Sequence, residues 1–387
     1  MDLRKLVDKI KPTFEKGGKL GFLHSTFDAF ETFLFVPNTV TKKGAHVRDC
    51  VDLKRVMIMV VLSLVPAMLF GIWNVGYQYY MSTVENFDAA ANFWPIVLHG
   101  LIKVLPLYIV AYLVGLAIEF VSAQIQGHEV NEGYLVSGML IPLIVPVDVP
   151  LWMLAVAVAF AVIIGKEVFG GTGMNIWNPA LLTRAFLFFS YPSSMSGDYV
   201  WVSGLGEEGA QIVDGFTGAT PLANASMEGL QASGYSIFDL VVGTIPGSVG
   251  ETSVIAILLG AALLLWTGVA SWKIMFSSVL GGLAIGYLGY ALGSTDLPGY
   301  SQLIRGGFLF GTVFMATDPV TSAQTEKGKW IYGFLVGALA VTVRIWNAGY
   351  PEGMMLAILL MNTFAPLIDH YVIEGSIKRR NKKVKTA

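Results

Sequence analysis

The sequence predicts an all-α integral membrane protein of ten transmembrane helices, arranged as two inverted five-helix repeats with short or broken helices. Three observations carry that prediction. Hydrophobic residues fill 54% of the 387 positions and charged residues only 13%, at a mean hydropathy of +0.63, a balance that fits a polytopic membrane chain and not two soluble domains. Ten apolar runs recur along the chain. A pattern of Gly, Pro, Trp and Ile-Trp-Asn in the first half returns in the second.

Residues 1–55 are too polar to span, hold eleven Lys/Arg and read as a cytoplasmic arm. Their opening residues Asp2, Arg4, Lys5, Asp8 and Lys9 do not form the basic patch and apolar run of a cleavable signal peptide. The first five spans, within residues 56–190, are expected at Val56–Trp73, Phe93–Ser122, Gly133–Val145, Leu151–Gly165 and Ile176–Ser190. A long loop, 191–251, follows. The second five, within 252–373, are expected at Thr252–Gly268, Trp272–Leu292, Leu303–Ala316, Trp330–Trp346 and Gly353–Tyr371, ahead of a basic tail, 374–387.

An even number of spans puts both termini on one side, and the positive-inside rule makes that side the cytoplasm. Lys166, Lys273, Lys327 and Lys329 fall in or beside loops on the same side, while the 191–251 loop holds seven carboxylates and no Lys or Arg. That loop is therefore expected in the periplasm, and the chain in a bacterial inner membrane. In the repeat, Gly133-Tyr-Leu-Val, Pro146, Trp152 and Ile176-Trp-Asn178 are echoed by Gly307-Phe-Leu-Phe, Pro319, Trp330 and Ile345-Trp-Asn347. Units of five spans must lie in opposite orientations. The runs at Gly133 and Leu303 are too short to cross as straight helices, and broken helices are tolerated only where the freed backbone lines a protein-enclosed cavity.

Three sets of residues stand out as chemistry. In Asp214-Gly-Phe-Thr-Gly-Ala-Thr-Pro-Leu222, small neighbours leave the Thr220 hydroxyl open and Pro221 restrains the backbone after it; a plain turn is the simpler reading of such a composition. Gly170-Gly-Thr-Gly-Met-Asn-Ile-Trp-Asn-Pro-Ala-Leu-Leu-Thr-Arg184 lacks the strand and the Gly-Lys-Ser/Thr of a nucleotide loop. It reads either as a re-entrant turn or, through Gly171, Thr172, Asn175, Asn178, Pro179 and Arg184, as a site for a flavin's ring edge or ribityl chain. Arg344 and Asn347 occupy the position corresponding to it in the second repeat, and Arg305 or Arg344 is the expected counter-charge for a phosphate near Thr220. Glu119, Asp318 and Asp369 are acids within or at the ends of spans: they either pair with Lys103, Arg184 or backbone, or serve a small cation as hard oxygen ligands. The five histidines are dispersed and Cys50 is the sole cysteine, so no transition-metal centre is expected. Nothing points to nucleic acid.

Together these residues resemble the B subunit of the bacterial sodium-translocating NADH:quinone oxidoreductase. The likeness is carried by Val40-Thr-Lys-Lys, His46-Val-Arg-Asp, Val51-Asp-Leu-Lys-Arg, His128-Glu-Val-Asn-Glu-Gly133, Lys166-Glu-Val-Phe-Gly-Gly-Thr-Gly173, Asn178-Pro-Ala, Ile245-Pro-Gly-Ser, Met315-Ala-Thr-Asp-Pro319 and Tyr350-Pro-Glu-Gly-Met-Met-Leu-Ala357. The resemblance implies FMN esterified through its phosphate to Thr220, with Asp214, Thr217, Gly218 and Ala219 as the flavin transferase's recognition sequence. It implies a non-covalent riboflavin, and reduction of ubiquinone or menaquinone near the cytoplasmic face. It further associates Gly115, Leu116 and Glu119 with the quinone and inhibitor region, and Glu119, Asp318 and Asp369 with Na+ coupling. Implied partners are the other members of a six-subunit complex, chiefly the C subunit with its periplasmic flavin and the NADH-oxidising F subunit. Two positions depart from the family pattern: Thr217 replaces a serine, and Leu116 a glycine. The D subunit of Rnf-type ferredoxin:NAD oxidoreductases shares the features of the flavin and fold, and the long basic arm favours the quinone reductase. The inverted five-span repeat is also urea-transporter-like, which leaves a solute channel without flavin as a reading from another class.

Overall fold

A computed structural model of the chain describes residues 3–14, 21, 27, 31, 35, 44, 53–85, 87–89, 91–126, 133–206, 212–214, 216–223, 234–347 and 352–386. The motifs at 40–43, 46–52, 128–132 and 350–351, and most of the N-terminal arm, lie outside the described residues. Among those described there is no strand.

An amphipathic helix α1 (Leu3–Phe14) precedes the apolar helices. These are α2 (Leu53–Thr83), α3 (Phe93–Gln126), α4 (Tyr134–Ile144), α5 (Leu151–Gly165) and α6 (Pro179–Ser190). A six-residue helix α7 (Ile237–Val242) follows in the long loop, its start held by a reciprocal Ser236–Asp239 capping box. Then come α8 (Val254–Thr267), α9 (Trp272–Ala291), the single turns α10 (Ser301–Ile304) and α11 (Phe308–Phe310), α12 (Glu326–Trp346) and α13 (Gly353–Thr386).

Among the described residues, six helices are long and apolar enough to cross a bilayer: α2, α3, α5 with the turn after it, α9, α12 and α13. Of the ten spans expected, four fall outside this set: the two runs read as short or broken, at Gly133 and Leu303, and two more, at Ile176 and Thr252. Helices α4, α6 and α8 have 11, 12 and 14 residues, which at about 1.5 Å each falls well short of roughly 30 Å of hydrocarbon. The run at Leu303–Ala316 is broken, with α11 passing into a π-helical turn at Gly311–Met315. Two other boundaries differ. Helix α2 continues past Trp73 because its polar outer end has tertiary partners: Asn74 Nδ2 donates to the Ile245 carbonyl at 3.0 Å, and Gln78 to Asn74. Helix α13 continues through the basic residues set apart as a tail, so that segment is the end of a helix and not a separate element.

The main buried cluster runs through all the apolar helices, with a small second one at Leu240 and Ile245, while large side chains such as Leu69, Leu113, Leu259 and Leu288 stand exposed around it, as on a lipid-facing wall. In the first half α3 packs on α4 and α5, α5 on α6, α2 on α4, and α4 on α6; in the second α9 packs on α12, α12 on α13, and the π turn on α8, α9 and α13. The halves meet where α2 packs on α8 and α6 on α13. The α9–α12 seam is the most intimate. Ser278 Oγ donates to the Gly333 carbonyl at 2.9 Å, Gly281 abuts the Phe334 carbonyl, and Gly337 abuts that of Ser278. Small residues let two backbones approach this closely where lipid offers no hydrophobic drive to associate.

A Cβ at Gly337 would overlap a backbone carbonyl that cannot swing away. Gly337→Val is therefore expected to lower the midpoint of thermal unfolding in detergent, at a cost of about 1–3 kcal/mol or more. Leu288→Ala, on the exposed side of α9, is expected to stay within about 0.5 kcal/mol of the unsubstituted protein.

Candidate functional site

Two cavities lie at opposite ends of α6 and α8. The inner one touches Asn178 and Pro179 at the start of α6 and Leu264 near the end of α8; the outer one touches Phe188 near the end of α6 and Thr252 just before α8.

The inner cavity, about 80 Å³, is lined by Lys166, Thr172, Asn175, Asn178, Pro179 and Asp318 among others. Gly171, in a left-handed turn with φ of 89°, lets the 170–174 loop fold back so that Thr172 packs on Gly133 at the head of α4. The two amides proposed from sequence are partly engaged at home. Asn178 Oδ1 caps α6, accepting from Ala180 N at 2.9 Å, with Pro179 at the first helical position; Asn175 Nδ2 donates to the Trp177 carbonyl at 3.0 Å. Arg184 is not brought to this group. It lies six residues farther along α6, and its guanidinium pairs with Glu251, at 2.7 Å, and with Glu352.

Beside the inner cavity, Gly115 and Glu119 face Tyr134 and Lys166. Gly115 leaves just enough room for the Tyr134 ring, whose hydroxyl donates to the Ala111 carbonyl at 2.7 Å. Leu116, half-buried, packs against the core from the next position on α3. Glu119 forms a buried ion pair with Lys166, which also sits 5.8 Å from the Tyr134 ring centroid. The acid's partner is thus neither Lys103, which pairs with Asp148 at 3.2 Å, nor Arg184. Sequence placed Lys166 in a loop; its buried position was missed, although it directly follows the apolar α5. Glu119 Oε2 is buried without a hydrogen-bond partner.

The other two acids use their oxygens locally. Asp318 accepts from Val320 N at 3.1 Å and from Thr321 Oγ1 at 2.9 Å, at the wall of the inner cavity. Asp369, on α13, accepts from Gln324 N at 2.7 Å and Thr325 N at 2.9 Å, and so holds the start of α12. Among the described residues no three His, Cys, Asp or Glu side chains converge as a metal group.

The outer cavity, about 350 Å³, is lined by Thr220, Pro221, Trp201, Glu251, Thr252 and Glu352 among others. Thr220 is half-buried at its edge, and its Oγ1 accepts from Ala223 N at 3.3 Å. The stretch around Thr220 is anchored by Val213 N donating to the Ser82 carbonyl at 2.9 Å and by Ala219 N donating to Thr217 Oγ1 at 3.2 Å. Asp214 and Thr217 are exposed, Gly218 and Ala219 buried; Gly215 lies outside the described residues. Leu222 forms a wall shared with a neighbouring cavity of about 400 Å³ that holds both Arg305 and Arg344. Arg344 Nη1 donates to the carbonyls of Gln302, at 2.6 Å, and Arg305, at 2.9 Å, and its guanidinium lies 5.7 Å from the Phe308 ring centroid. Asn347, exposed at the end of α12, lines none of these cavities. Sequence therefore brought Thr220 and the two arginines to one end of the molecule but missed Glu251 and Glu352, which signal themselves only as acids flanking apolar helices.

Breaking a buried ion pair leaves one charge without its counter-charge. Glu119→Gln and Lys166→Met are each expected to destabilise the protein by about 3–5 kcal/mol. The double substitution should recover much of that loss in a double-mutant cycle read by thermal unfolding.

Comparison with known proteins gives the family. A model of the NQR2, RnfD, RnfE family matches residues 40–378. The chain is 46% identical to a protein of Pseudomonas paraeruginosa named as the B subunit of Na(+)-translocating NADH-quinone reductase, over 98% of this chain and 99% of that relative. Proteins of the same name from Chromohalobacter salexigens, 45% identical over 99% and 97%, and Azotobacter vinelandii, 44% identical over 98% and 99%, are similar over the same extent. The chain belongs to the NQR2, RnfD, RnfE family.

Proposed function

We propose that this chain is the membrane subunit of a sodium-translocating NADH:quinone oxidoreductase, carrying FMN esterified to Thr220 and moving electrons between the two faces of the inner membrane. The observation that carries the proposal is the position of Thr220: it lines a cavity of about 350 Å³, with two arginines behind a shared wall. The volume falls within the roughly 300–1,000 Å³ of small-molecule sites. An ester at Oγ1 removes the hydroxyl proton and leaves the oxygen able to keep accepting from Ala223 N. Arg305 and Arg344 then supply the positive charge that a phosphodiester needs, and a flavin so linked contributes one- and two-electron transfer. Asp214, Thr217, Gly218 and Ala219 serve as the transferase's recognition sequence before the cavity is filled.

Several features support the wider reading. The helix pairings of the first half recur in the second: α3 on α5 and α9 on α12, α5 on α6 and α12 on α13, α4 on α6 and the π turn on α13. That recurrence supports ten passages in two inverted repeats, with α4, α6, α8 and the broken run crossing only part of the thickness. Basic ends and a loop free of Lys and Arg support cytoplasmic termini and a periplasmic Thr220. Full-length relatives that carry the quinone reductase's name favour it over the Rnf arrangement. That name supplies the quinone, the Na+ and the company of other subunits, among which the C and F subunits are the electron-delivering partners proposed. Gly115, Leu116 and Glu119, beside Tyr134 and Lys166, are the proposed quinone and inhibitor region.

The inner cavity suits a riboflavin in chemistry, through Gly171, Thr172, Asn175, Asn178 and Pro179, but not in size: about 80 Å³ holds no three-ring group. No electron step is assigned to it. Of the acids, Asp318 borders that cavity, and with Glu119 and Asp369 it is the proposed route for Na+.

In-gel ultraviolet fluorescence of the denatured polypeptide tests the central claim: a flavin band is expected for the unsubstituted chain and none for Thr220→Val. A band that persists in Thr220→Val overturns the attachment site, and no band for the unsubstituted chain overturns it and favours a channel without flavin. Arg305→Gln and Arg344→Gln are expected to keep the band and lower the potential of the attached flavin; unchanged potentials in both remove the arginines from the phosphate's environment. Asp318→Asn is expected to raise the KM for Na+ in quinone reduction by about tenfold with little change in Tm. For Asp369→Asn, a fall in Tm equivalent to about 1 kcal/mol, as for a lost helix cap, without a change in KM would assign that residue to structure alone.

A further inference from the structure

A fourth concave surface lies at the end of α8 and the starts of α9 and α12, next to the inner cavity. It is a groove of about 420 Å³ lined by Ser271, Trp272, Lys273, Glu326 and Lys329 among others. Lys273 and Lys329 both pair with Glu326, the second at 2.9 Å. Two ammonium groups share one carboxylate, so the groove keeps a positive charge, and the adjacent Lys327 adds another. Around it stand three tryptophans. Trp266 and Trp272 are largely exposed, and Trp330 meets Trp272 edge to face at 5.7 Å. Tryptophan and lysine at the ends of apolar helices mark the depth at which lipid headgroups sit. Below them the wall is apolar: Trp272, Phe276 and Leu280 recur every fourth residue as an exposed strip on α9, and Leu265, Leu258 and Ile255 are exposed on α8.

From this arrangement we propose that the groove is a binding site for an anionic phospholipid. The phosphate is held by Lys273 and Lys329, and the acyl chains lie along the exposed strips of α8 and α9. A cationic groove between membrane helices, at the side where basic residues gather, is complementary to a lipid phosphate. The two apolar strips account for chains that a free phosphate lacks. Ser271 supplies a hydroxyl at the same rim. The groove shares Val269 and Ala270 with the inner cavity, so an occupant lies one loop away from Asn178 and Asp318.

The test is native mass spectrometry of the purified, delipidated complex titrated with phosphatidylglycerol, phosphatidylcholine or inorganic phosphate. Phosphatidylglycerol is expected to bind, with about tenfold or greater loss of affinity in Lys273→Gln/Lys329→Gln. Lys273→Arg/Lys329→Arg should retain binding. Glu326→Gln, which removes the shared carboxylate, should tighten it several-fold; a purely structural role for these residues predicts weaker binding instead. Equal affinity in the Lys→Gln pair overturns the proposal, as does equal binding of phosphatidylcholine or displacement of the lipid by millimolar inorganic phosphate. A photoreactive residue at position 271 that crosslinks to a neighbouring polypeptide and not to lipid also overturns it. Because the readout is bound lipid, these outcomes are independent of whether Thr220 carries a flavin.

Discussion

Backbone N–H and C=O groups within an apolar slab have no water to turn to, and that constraint governs this fold. Helices α4, α6 and α8 are shorter than the thickness that α2, α3, α5, α9, α12 and α13 are long enough to cross, so ends of theirs that fall within it must find partners within the protein. Asn178 caps α6 and Ser253 caps α8. Thr325, itself held by Asp369, caps α12. The start of α6 borders the inner cavity, and the residue before the cap of α8, Thr252, borders the outer one. The long helices form the surround against which short ones can stop.

Charge follows the same logic. The buried ion pairs, Glu119 with Lys166 and Arg184 with Glu251 and Glu352, lie at the cavity walls and not within the apolar core. Removing such groups from water is costly, and the pairs are weak evidence of stabilisation in themselves. Their contribution is to fix geometry. Arg184 belongs to the first half, Glu251 to the end of the long loop that leads into the second, and Glu352 to the second, so that one guanidinium fastens the halves to each other beside Thr220. Lys166 joins the Gly115–Glu119 face of α3 to the inner cavity.

Much of the architecture was legible because apolar periodicity and loop charge are local. Every apolar run read from the sequence contains helix, and the shortness of the stretches at Gly133 and Leu303 is visible in their composition. The truncation of α6 was not, since Ile176 and Trp177 continue the apolar run while Asn178 and Pro179 set the helix start farther on. At the site, the small residues around Thr220 announced themselves, but ion-pair partners did not. Glu119 and Lys166 are 47 positions apart, and Arg184 and Glu352 are 168 apart. Grouping Arg184 with Asn178 by nearness in sequence failed because a helix that begins at one cavity carries its later residues towards the other. The partner is chosen by packing, which no local pattern encodes.

Helix α6 is the one short element whose capped start and buried arginine belong to two different cavities. Its first turn is fixed by Asn178 at the inner wall, and Arg184, near its middle, is tethered to carboxylates at the outer one. With twelve residues it is a rod of about 18 Å, too short to bend appreciably. Such a rod transmits position instead of absorbing it: a shift of the tether at one face moves the cap at the other, so the two compartments are mechanically in series.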